Sequence, residues 1–332
     1  MFEAAFERLY QRAGGSGVFG ASPTLACDTY RHCLVGDAQP LVWLEVPLLG
    51  DPGFDMDISY RRDQLGAGDR FILGDGYGYQ PLIDWVASAK QLPFGIGIAV
   101  DLMDAKRGHG VYVNTNNIDA EMRDEFFRAI GQEEAGVRLA RVAARQPDGW
   151  QQAEDGVFIG RPGCPARIAW LVDERLKQEY VKDPQLLAKH LRQVGFTALD
   201  SSQLACLCDM AATPFKMWIE LDVLADGSVG DSLGADYYFS SPVLNQRRPS
   251  FAEGKPAARA MEALQAHGLI DERWHLLADA TMATLVPLDN EEDGLSAFLM
   301  RSEPTFVKPK WVPGKAPLAK AYQIVDVKLL GR

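Results

Sequence analysis

Lysines, acids and aromatic rings recur in this chain at spacings of two, and the spacing decides what they can do together. Lys216-Met-Trp218-Ile-Glu220-Leu-Asp222 puts a lysine, a ring and two carboxylates on one phase, and Met217, Ile219, Leu221 and Val223 on the other. In an extended strand successive side chains point to opposite faces, so each set shares a face. The same split pairs Trp43 with Glu45 in Leu41–Leu48 and groups Asp55, Asp57, Ser59 and Arg61 in Phe54–Arg61. It pairs Tyr112 with Asn114, sets Arg167 against Ile168, and joins Lys308 to Lys310 and Lys320 to Tyr322. On the return strand Asp236 and Tyr238 oppose Leu233, Ala235, Tyr237 and Phe239. Such a face has three capabilities. Fixed cations stabilise growing negative charge, rings shield a cation, and a carboxylate takes up a proton.

The elements that must carry these groups are hairpins. Asp226-Gly227 is a tight-turn signal between two alternating runs. Comparable pairs are expected at 41–48 with 54–61, 94–102 with 111–116, 156–161 with 166–173, and 305–312 with 318–326. Helices are predicted at the N-terminus (1–13) and at 80–90, 119–145, 183–194, 201–212, 251–267 and 271–283. Strands arriving in antiparallel pairs exclude a simple βαβ fold. The apolar faces need cover, which the helices can supply. If the sheet closes, ten strands leave a lumen lined by the polar set, since about eight already give an interior that side chains just fill. Gly95 and Gly97 on the polar phase leave room there. The expectation is an α+β chain, one domain over 1–332, with a ten-stranded antiparallel β-barrel over about 35–330 and helices outside. The open alternative is an α+β protein with two sheets.

Composition limits the partners. The chain has 332 residues, 47% hydrophobic and 24% charged, with a net charge of −11. An acidic surface speaks against nucleic acid. No apolar run reaches the ~20 residues of a membrane span, and Met1–Tyr10 lacks a signal peptide's apolar core, so a cytoplasmic location is expected. Cys27, Cys33, Cys164, Cys206 and Cys208 show no CxxC pair. The five histidines are scattered, with no HExxH. Gly74-Asp-Gly-Tyr-Gly lacks the spacing of a phosphate loop and reads as a turn, and Asp289–Asp293 reads as a solvated acidic loop.

The pattern of hairpins and helices resembles the PT barrel of the ABBA prenyltransferases, including the dimethylallyl tryptophan synthase group and small bacterial peptide prenyltransferases. The resemblance is architectural and spans nearly the whole chain. In that family Lys-x-Tyr alternations cage a prenyl diphosphate; Lys320-Ala-Tyr322 has this form, and Lys216-Met-Trp218 and Lys308-Pro-Lys310 vary it. The resemblance implies a diphosphate cage drawn from Arg61, Arg167, Lys216, Lys308, Lys310, Lys320 and Tyr322. It implies an acceptor wall of Trp43, Tyr112, Asn114, Trp218 and Tyr238. Glu45, placed like the family's first-strand glutamate, becomes the candidate base, with Glu220 second. The partners are then a prenyl diphosphate and a small aromatic molecule or peptide, with no organic cofactor. Asp55-x-Asp57 is the candidate Mg²⁺ pair. Two features depart from the family pattern: the fuller Arg-x-Lys-x-Tyr run is absent, and the same faces carry many acids. An acid-lined barrel that binds a cationic molecule or peptide without catalysis therefore stays open.

Overall fold

The structure, a computed structural model, describes residues 2–330 other than 13–16, 21, 22, 37, 39, 62, 64, 73–78, 90–95, 103–108, 117, 160, 162, 240–249 and 289–295. The Gly74–Gly78 turn, Gly95 and the Asp289–Asp293 loop lie outside the described residues.

Ten antiparallel strands close into a barrel. In chain order they are β1 (Leu41–Pro47), β2 (Asp55–Tyr60), β3 (Ile96–Val100), β4 (His109–Asn114), β5 (Trp150–Ile159), β6 (Ala166–Val172), β7 (Lys216–Val223), β8 (Val229–Tyr238), β10 (Ser296–Trp311) and β11 (Leu318–Leu330). Each of β1 to β8 pairs with the next, β8 pairs with β10, β10 with β11, and β11 returns to β1 through Glu45 opposite Tyr322 and Val42 opposite Val325. The closing pair joins two ends of the chain, so no barrel edge is left open.

Closure follows from the alternation. Val42, Leu44 and Val46 of β1 face outward and are buried, as are Ile219, Leu221 and Val223 of β7. They form one core with Leu82, Ile83 and Val86 of α3 (Gln80–Ser88), Phe126 and Phe127 of α4 (Ala120–Ala129), and Leu187 and Leu191 of α7 (Pro184–Val194). At ~25 cal/mol per Å² of apolar area removed from water, this outer layer is the dominant stabilising term. The predicted helix 119–145 is divided: α5 (Glu133–Ala143) starts after Gly131, whose φ of +64° is a left-handed conformation that ends α4.

Several elements depart from the sequence reading, among them an unforeseen helix at Pro23–His32. A helix not foreseen, α6 (Glu174–Lys182), follows β6 directly. The segment read as helix 271–283 is a 3-10 turn (272–275) and a short α10 (Leu276–Asp279), after which β9 (Met282–Leu288) is a strand. β9 pairs only with the first half of β10, from Ser302 opposite Met282 to Ser296 opposite Leu288. β10 and β11 thus run past the barrel, and β9 extends them as a third strand outside the closed ring.

A candidate active site in the barrel lumen

The inward phase of the ten strands brings most of the predicted site residues together. Lys320 Nζ donates to Glu45 Oε2 at 2.8 Å and to Asp55 Oδ2 at 3.0 Å. Lys308 Nζ donates to Glu220 Oε1 at 2.7 Å and lies 3.3 Å from Asp236 Oδ1. Arg167 holds Asp222 at 2.9 Å and reaches Glu220 at 3.5 Å. At one mouth Arg161 pairs with Asp101 at 2.7 Å and lies over the Phe158 ring. Arg161 is an addition to the sequence-derived set, whereas the alternation already places Asp101 on the polar face. These four cations form a network of ion pairs with acids remote from them in sequence.

Rings fill the space beside this network. Phe306 stacks on Tyr322, with centroids 4.0 Å apart and planes 14° from parallel, and on Tyr238 at 4.5 Å. Trp218 extends the row from Tyr238 at 5.0 Å, and Trp43 meets Phe306 at 5.9 Å. The register explains the row: Phe306 lies opposite Tyr238 on one side and Tyr322 on the other. Lys308 Nζ stands 4.9 Å from the Tyr322 ring centre, within cation–π range. Phe306 shares the phase of Lys308 and Lys310, so the spacing of two could have found it.

Three predicted residues are placed differently, and a fourth is crowded in its expected place. β2 ends at Tyr60, and Arg61 sits beyond it, exposed and paired with Asp63. Lys216 opens β7 at the rim, exposed and opposite Tyr238, at the far end of its strand from Asp222. Asn114 accepts a hydrogen bond from the Asn116 backbone at 3.0 Å, which ties its amide to the local turn. Tyr112 does face inward, but the room beside small residues is already taken. A β-carbon added at Gly156 would land on the Tyr112 ring, and one at Gly110 would lie 2.8 Å from Tyr112 Oη. A narrow crevice in the wall is lined by Arg167, Glu220, Asp222, Ser232, Gly234 and Lys310.

Burial and pairing divide the ionisable groups into two kinds. Burial pushes Glu220 up, but Lys308 and Arg167 overcome it and bring the carboxyl down to about 2. Glu45 is held below the usual carboxylate range in the same way by Lys320 and Lys308. Their neighbours go the other way. Burial, with Glu45 alongside, holds Asp57 well above its ordinary value, and burial with Glu220 does the same to Asp236. Within each pair the two acids are pushed in opposite directions, because two adjacent charges without water are costly. Glu154, not foreseen by the sequence reading, is raised to about 8 by burial and Glu220. Lys310 has no carboxylate within ion-pair distance among the described residues, and burial beside Arg167 lowers it to about 7.

Asp55 and Asp57 do not fit a resident Mg²⁺. Asp55 is bound to Lys320, and burial beside Glu45 raises Asp57, which disfavours its charged form. Among the described residues no group of three or more His, Cys, Asp or Glu side chains is placed to hold a metal ion.

These features define a class: a closed ten-stranded antiparallel barrel, helices outside, with rings and paired charges inside. Among solved structures the chain is similar to the prenyltransferase PriB in its apo form, with a TM-score of 0.54 and 13% identity over 98% of this chain and 94% of that one. At that identity the likeness carries the fold. No family model matches the chain, and no curated protein matches it in sequence. Among the described residues no helix is long and apolar enough to cross a membrane.

Proposed function

We propose that the protein transfers a prenyl group from an allylic diphosphate to an aromatic or peptide side-chain acceptor within the lumen. The observation that carries this reading is the juxtaposition of Lys308 and Lys320 with the stacked rings of Tyr322, Phe306 and Tyr238 inside one closed barrel. Ionising an allylic diphosphate separates a carbocation from an anion. Lys308, Lys320, Lys310 and Arg167 would hold the anion where its charge grows. Trp43, Trp218, Tyr238, Phe306 and Tyr322 would flank the cation and exclude water.

Glu45 and Glu220 are the carboxylates assigned from sequence to take the acceptor's proton. Their lysines make them weak proton acceptors as they stand. No step is assigned to Mg²⁺. The test is mass spectrometry after incubation with dimethylallyl and geranyl diphosphates and an acceptor panel. A prenyl-sized mass increase on one acceptor supports the reading, and none on any acceptor with either donor counts against it.

A second reading has its own observation. Lys320 already meets Glu45 and Asp55, and Lys308 meets Glu220 and Asp236, so both lysines are engaged without an anion. An ammonium or guanidinium ligand could replace the lysines on those acids. Binding of such a cation, with no affinity for a diphosphate analogue, would favour this account.

A further inference from the structure

Glu154 stands apart from the other lumen acids. The register of β5 shifts between Gln152 and Glu154, a bulge that moves one residue out of phase. Asp155 therefore faces the helices, where Arg123 of α4 lies 3.6 Å away, while Glu154 takes the inward phase opposite Asn114 and Ala169. Ala169 in turn lies opposite Glu220, so only a methyl side chain separates the two acids along the wall. Glu154 makes no hydrogen bond or ion pair with a described residue, unlike Glu45, Asp55, Glu220 and Asp222. Bulges re-aim side chains and recur beside active sites.

We propose that Glu154 takes the proton from the alkylated acceptor, an assignment that rests on the prenyl-transfer reading. The allylic C–O bond breaks with its electron pair going to the diphosphate oxygen. The acceptor's electron pair forms the new bond to the allylic carbon. The proton that the acceptor must then lose passes to a Glu154 carboxylate oxygen and leaves to solvent on turnover.

Charged and titratable groups face Glu154 from several strands. They are Asp57 on β2, Arg167 on β6, Glu220 on β7, Asp236 and Tyr238 on β8, and Lys308 on β10. Asp155 adjoins it on its own strand. Burial and Glu220 raise the carboxyl, Lys308 and Arg167 oppose them, and the balance falls at about 8. A base works best when its proton affinity lies near the working pH. Glu45 and Glu220 lie far below that point.

The experiment compares wild type with Glu154→Gln and Glu154→Asp, following product by mass spectrometry from about pH 6 to pH 10. The wild-type rate is expected to rise with pH and level off above about 8. Glu154→Gln should lower kcat by about 10²–10⁴-fold and abolish that rise, while Glu154→Asp retains part of both. Infrared spectroscopy supplies a readout independent of turnover: a protonated-carboxyl band that titrates near 8 in wild type and is missing from Glu154→Gln. An active wild type whose Gln variant keeps the same rate and pH profile overturns the assignment alone, as does a wild type without the band. A wild type with the band but no product from any donor overturns the transfer reading, and the assignment with it.

Discussion

Two lysines two residues apart on one strand should respond to the same substitution with opposite signs. Lys308 is buried against Glu220 and Asp236. Lys308→Met leaves those acids without their cation, and breaking a buried pair in this way costs about 3–5 kcal/mol. Glu220's folded value of about 2 lies below its ordinary one, so its stabilisation is present above about pH 4.5 and is lost as pH falls through 2. The variant's deficit should therefore be full at neutral pH and shrink in acid. Lys310 has no such partner, and its folded value is depressed to about 7. Its charge is a penalty that is full below pH 7 and fades as pH rises toward 10.5, where the unfolded chain also loses the proton. Lys310→Met should stabilise the fold by on the order of 1 kcal/mol at neutral pH, raising Tm by roughly 2 °C, and should do nothing above pH 10.5. Thermal melts of both variants across pH check the pair. Equal losses in both would show that Lys310 is as well compensated as Lys308.

At the scale of elements, glycine and phase shifts decide what the alternation can and cannot predict. Gly156 of β5 lies against the Tyr112 ring, and a β-carbon there would also come within 2.8 Å of the Val111 carbonyl oxygen. Because one obstacle is backbone, Gly156→Ala should cost about 1–3 kcal/mol by overpacking. It should also displace Tyr112, readable as a lower Tm with altered near-ultraviolet circular dichroism. An unchanged melt would mean the ring moves freely. The hairpins were legible in the sequence wherever the period of two ran unbroken, as in β1, β2, β7 and β8. It failed at the Gln152/Glu154 shift, which hid the first half of β5 and Glu154 with it. It failed again at β9, where Met282-Ala-Thr-Leu-Val-Pro-Leu has no polar phase to alternate with. The partners of the lumen lysines were not legible either. Lys320 meets Asp55 across 265 residues of sequence, a contact fixed by strand order and stagger and not by local spacing.

The whole molecule poses a question of charge balance that distinguishes the two functional readings. The barrel encloses Glu45, Asp55, Glu220 and Asp236 on two lysines, and burial raises Asp57, Asp236 and Glu154 above their ordinary values. A diphosphate entering such a space must draw Lys308 and Lys320 toward itself. The carboxylates left behind then sit buried among like charges, their proton affinity rises, and protons come in from solution. Binding a non-hydrolysable diphosphate analogue should thus take up about one proton or more, and its affinity should fall as pH rises. A cationic ligand has the reverse effect. It settles on the acids, favours their ionised form, releases protons and binds more tightly as pH rises. Calorimetry in buffers of different ionisation enthalpy reads the sign directly from the slope of the observed heat. Uptake with the diphosphate analogue, lost when Lys308 and Lys320 are both replaced by Met, is the outcome expected of a prenyl-transfer barrel. No binding of the analogue, together with proton release on binding an arginine- or lysine-containing peptide, would assign the lumen to cations instead.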